Sequence, residues 1–145
     1  MILILSSCGR PVTDPIGTLG KADEHSSRHR TSLTMLKTSP DGTSADATDA
    51  LQGLIYRPGY ADDVRLEGLE ILVETNPDRL LRTTRQRLPR IEDPMWLEAY
   101  CQWLGDQDWS DPEQKAAVNE ALVSSWGVFW PVWTDEDDRP EYKAL

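Results

Sequence analysis

The residues of this chain that could do chemistry are few in kind and mostly grouped. Five arginines, Arg79, Arg82, Arg85, Arg87 and Arg90, fall within twelve residues of an otherwise acidic protein. On a helix they would form a basic ridge able to hold an anionic partner through charge-assisted hydrogen bonds. The plainer alternative is exposed ion pairing with Glu67, Glu70 and Glu74 of a preceding antiparallel helix, each pair contributing little. His25 and His29, four apart, would share one helical face, but two ligands with no third histidine and no nearby cysteine are too few for a metal site. No metal is expected. Cys8 and Cys101 cannot build a disulfide framework, and Cys101 falls on an apolar helical stripe, as a buried small hydrophobe would.

Catalysis finds little support in the same residues. There is no glycine-rich phosphate loop, no nucleophile elbow and no histidine in the expected folded body to act as a general base. Carboxylate pairs such as Glu67 and Glu70 fall where a solvated helix face would carry them, and sequence spacing does not report the distance between two carboxyl groups. The chain is therefore read as no enzyme, with no cofactor.

The elements that must position these residues are helices. Asn76-Pro77-Asp78, Asp93-Pro94-Met95 and Asp111-Pro112-Glu113 each place a capping oxygen before a proline at the first helical position. A first helix is expected after a cap at Asp46, buried through Ala50, Leu51, Leu54 and Ile55 until Arg57-Pro58-Gly59 breaks it. A second opens at Ala61 and buries Leu66, Leu69, Leu72 and Val73, with Arg65, Glu67, Glu70 and Glu74 on its other faces. The third, 77–88, carries a narrow stripe of Leu80, Leu81, Thr84 and Leu88. In the fourth, 94–104, Trp96 and Trp103 widen the stripe of Leu97, Tyr100, Cys101 and Leu104, which predicts cover on more than one side. The fifth runs from Pro112 through Val118, Ala121, Leu122 and Trp126 to Gly127. Residues 128–133 are too apolar for linker and are expected to fold back as a lid.

Length and charge bound the rest. At 145 residues one core is expected. The net charge of −10 is concentrated in residues 93–145, which hold three bases and twelve acids. Such a surface repels phosphate backbones, so nucleic acid is not an expected partner. No run approaches the roughly 18 to 20 apolar residues of a membrane-spanning helix. Residues 9–45 are rich in Ser, Thr, Gly, Pro and Asp and predict a flexible linker, and 134–145 an acidic mobile tail.

Two resemblances give these elements a context. Leu5-Ser6-Ser7-Cys8 resembles the lipobox of bacterial lipoproteins, which implies a lipidated Cys8, residues 1–8 as a truncated signal, and an export signal starting upstream. Asp63-Val64-Arg65-Leu66-Glu67-Gly68-Leu69-Glu70-Ile71-Leu72 resembles the first helix of a HEAT-like repeat. Asp93-Pro94 followed by Leu97, Tyr100 and Leu104 is a poorer second copy, with Trp96 at the Val position and Leu97 at the Arg position. The caps at Asn76 and Asp111 are 35 residues apart and Leu72 and Leu104 are 32 apart, the period of a helix-pair array. The expectation is therefore an all-α fold: a short right-handed array of helix hairpins, about two repeats over 46–133, behind a disordered N-terminal tether. The function that follows is a noncatalytic protein-binding or scaffolding module held at a bacterial envelope membrane by a lipid anchor. The alternative is a soluble cytoplasmic regulator or inhibitor that occupies a basic surface of a partner protein.

Overall fold

In the computed structural model, the backbone is described for residues 4–5 and 11–133, and side chains for 11–39 and 42–125. Cys8 and the tail 134–145 lie outside the described residues. The fold is all-α: among the described residues there are seven α-helices and two 3-10 turns, with one short antiparallel pairing of Ile4–Leu5 against Pro11–Val12. The chain divides after Pro77 into two units rather than the single one expected.

The first unit contains the main departure from expectation. Residues 11–45 are not linker. Helix α1 (Pro15–Leu19) starts at Asp14, whose carboxylate accepts from the Gly17 N–H, and α2 (Ser26–Thr38) starts at His25, whose ring accepts from the Ser27 N–H. The segment is rich in Ser and Thr, and its hydroxyls find their partners within their own helix. Thr31, Ser32, Thr34 and Thr38 each donate to the carbonyl four residues earlier, at 2.9 to 3.3 Å. One face of α2 is apolar enough to dock: Leu33 and Leu36 are buried, flanked by Ser32 and His29.

Helix α3 (Ala45–Tyr56) is capped by Ser44, not Asp46; the Ser44 hydroxyl accepts from the Ala47 N–H at 3.1 Å. Its Leu51, Leu54 and Ile55 meet α4 (Asp62–Thr75), and Gly68 permits the approach: a Cβ there would stand 2.8 Å from Leu54 Cδ2. Between the two helices Gly59 turns the chain at φ 97°, a conformation that disfavours other residues. Arg65, expected on an outer face, is buried instead. Its guanidinium donates to the Arg57 carbonyl at 2.5 Å and reaches Asp62 at 3.5 Å, so it fastens the turn between α3 and α4. Arg30 pairs with Asp63 and Lys37 with Glu67, which sets α2 and α4 side by side in the same direction. The Arg30 guanidinium also holds the Asp63 carboxyl below its usual range.

The second unit is built from α5 (Pro77–Arg87), a 3-10 turn (Leu88–Arg90), α6 (Pro94–Asp106) and α7 (Pro112–Trp133). The expected stripe of α5 is buried at Leu80, Leu81, Thr84 and Leu88. On α6, Trp96, Leu97, Tyr100, Cys101, Trp103 and Leu104 are all buried, the wide apolar face its sequence demands. Trp96 and Tyr100 pack at 5.5 Å, and Trp103 meets Trp109 edge to face at 6.5 Å. Helix α7 contributes Val118, Ala121 and Leu122. It also runs on past Gly127 to Trp133, so residues 128–133 are the end of a helix and not a lid. A glycine inside a helix costs about 1 kcal/mol relative to alanine, too little to stop so apolar a run.

The burial of α2 has a direct test. Leu33→Ala should destabilise the protein by about 2 to 5 kcal/mol in denaturant unfolding, as truncation of a fully buried leucine does. No change would return residues 11–45 to linker.

Candidate functional site

A groove of about 640 Å³ lies between α5 and α7. Helical periodicity explains its walls. Asp78, Leu81, Arg82 and Arg85 follow the one-face spacing of three, four and seven residues along α5, and Glu113, Ala116, Ala117 and Glu120 repeat it along α7. Leu81 and the two alanines make an apolar floor. Around it stand four carboxylates, Asp78, Asp111, Glu113 and Glu120, and two guanidiniums.

Three of the carboxylates also have a local reason to be there. Asp78 and Glu113 sit in the first turns of their helices, and Asp111 accepts from the Glu113 N–H at 2.9 Å; negative charge at a helix N-terminus is favourable. Glu120 has no such reason, standing in the body of α7. It meets Arg85 at 3.0 Å across the groove, both side chains more than half exposed. With one cation already paired, carboxylates remain in surplus. The arrangement can hold positive charge over a small apolar floor.

The five arginines do not form one ridge. At 3.6 residues per turn they spread around α5 and its following turn. Arg82 and Arg85 face the groove, Arg79 is half-buried, Arg87 falls on the other flank of the apolar stripe, and Arg90 is exposed in the 3-10 turn. Arg85 takes Glu120, and Glu67, one of the expected acidic partners, pairs with Lys37 instead. The groove itself was not legible in sequence. Its two walls are separate periodic faces about 35 positions apart, and nothing local says that they meet.

The other candidates have structural roles. His29 is buried, its Nε2 hydrogen-bonded to the Lys21 carbonyl at 2.8 Å and its ring 5.0 Å from that of Tyr60. His25 caps α2. Among the described residues no three His, Cys, Asp or Glu side chains are grouped to hold a metal ion. Cys101 is buried, and that burial pushes its thiol up to about 12. Its nucleophilic form is suppressed.

Burial of the Cys101 thiol makes the stability of the fold depend on pH. The unfolded chain ionises this thiol near its ordinary value of 9 while the folded chain keeps the proton, so stability is intact below about 9 and falls towards 12. Unfolding measured across that range should show a steeper loss for the natural protein than for Cys101→Ala. Equal slopes would show a thiol exposed to solvent. Comparison with known protein families, with characterised proteins and with solved structures finds no match for this chain.

Proposed function

We propose that this protein is a noncatalytic protein-binding module whose second unit receives a basic segment of a partner protein in the groove between α5 and α7. The observation that carries this is the surplus of carboxylates around the groove, four against two guanidiniums, one of them already paired. The same sign prevails through residues 93–145. Such a field speeds the approach of a cationic segment and repels an anionic one. The apolar floor adds contact area for the stems of lysine or arginine side chains. An anionic partner for the arginines is disfavoured on this reading, since Arg82 and Arg85 already stand among carboxylates.

The HEAT-like resemblance belongs to the same reading. Support comes from Gly68, the small residue of the resembling stretch, where α4 lies too close to Leu54 of α3 to admit a side chain unshifted. Helix-hairpin arrays commonly present a binding surface along their faces. Attachment to a bacterial envelope through Cys8 is a second reading, favoured by Leu5-Ser6-Ser7-Cys8 alone, and it has lost its tether because residues 11–45 are folded. Among the described residues no helix is long and apolar enough to cross a membrane. Mass measurement of the mature N-terminus from the native host separates the two: a diacylated or triacylated Cys8 supports attachment, and an intact Ile4–Leu5 excludes it.

The binding reading is tested with a fluorescent oligolysine peptide followed by anisotropy. The groove variants Glu113→Gln and Glu120→Gln should each weaken binding about two- to fivefold, the effect of one exposed charge pair, and added salt should weaken it further. Glu92→Gln, an exposed acid of the same unit outside the groove, should change little. Equal effects from all three variants, or preference for an oligoglutamate peptide, would contradict the proposal.

A further inference from the structure

We propose that Arg85 is an internal competitor for the groove: it occupies Glu120 in the free protein, and a basic partner segment binds by displacing it. This rests on the binding reading above. Glu120 is the groove carboxylate that helix-capping does not account for, and it is the one already taken by a cation of the chain itself, at 3.0 Å. The pair is built to open. Its side chains are 52% and 59% exposed, so each partner is substantially hydrated and the displaced guanidinium moves into water at small cost. The contact is a single hydrogen bond from Arg85 Nη2 to one carboxylate oxygen, not a two-point clamp. An incoming guanidinium able to engage both oxygens of Glu120 therefore wins over one that engages one, which makes the groove select for arginine over lysine at this position.

Arg82 supplies the internal reference. It stands one turn earlier on the same face of α5, lines the same groove and has no ion pair among the described residues. Removing either arginine takes one positive charge from the groove. Only the loss of Arg85 also frees Glu120. The field effect is common to both variants and the competition is not.

The test uses the full chain with the oligolysine and an oligoarginine peptide. Arg82→Gln and Arg85→Gln should both tighten oligolysine binding, with Arg85→Gln tightening it about two- to fivefold more. Arg85→Lys, which restores a cation beside Glu120, should return most of that difference. In Arg85→Gln, adding Glu120→Gln should abolish the extra gain. Oligoarginine should bind the natural protein more tightly than oligolysine, and Glu120→Gln should shrink that preference. Equal tightening by Arg82→Gln and Arg85→Gln overturns the competition while leaving the groove as the binding site. If Glu113→Gln fails to weaken either peptide, the groove reading itself is wrong and the competition falls with it. Circular dichroism of each variant establishes that the helices are retained.

Discussion

A tyrosine hydroxyl cannot be buried without a partner, and each unit of this protein is arranged to supply one. In the first unit Tyr60 donates to the Leu19 carbonyl at 2.6 Å, at the end of α1, while its ring packs on His29 of α2. One side chain thus joins α1, α2 and the entry to α4, and burial raises its ionisation above the usual tyrosine value. In the second unit Thr84 donates to the Leu80 carbonyl, which leaves its oxygen to accept from Tyr100 at 2.6 Å. That bond fixes α6 on α5. Thr84 lies on the same helix as Arg82 and Arg85. The rule is broken at Gln52 and Trp103, whose buried amide and indole N–H have no partner among the described residues.

The helical body was legible where apolar spacing and capping agreed. The stripe of α5 and the wide face of α6 could be written down from Leu80, Leu81, Thr84, Leu88 and the residues around Tyr100, because a helical period and proline caps point the same way there. Helix α2 shows the opposite case. Its composition resembles linker, yet Leu33 and Leu36 with His29 keep a helical period, and their burial outweighs the weak helix preference of Ser and Thr, whose hydroxyls donate to carbonyls of the same helix. Compositional bias outweighed a short periodic signal. Arg65 failed for a related reason: a charged residue on an amphipathic helix is expected outside, but a nearby main-chain carbonyl and Asp62 let it be buried.

The site was partly legible. Arg82 and Arg85 stood out as charge against an acidic background, but their surroundings depend on α7 approaching α5, which no local pattern encodes. Of the acids at the α7 N-terminus, Asp111 looks like a capping residue and is one, and Glu113 stands in the first turn where negative charge is favoured. Their second role comes from what lies opposite. Glu120 gave no signal in the sequence, where it reads as one more acid on a solvated helix face; only Arg85 opposite it shows its place in the groove.

On the proposed reading, positive charge is held at this groove and not over the acidic surface at large. Chemical-shift mapping by NMR during titration with the oligolysine peptide tests it most directly. Perturbations should be concentrated on Arg85, Glu113, Ala116, Ala117 and Glu120 and should saturate together. Perturbations spread evenly over exposed acids, with Glu70 and Glu92 moving as far as Glu120, would contradict it.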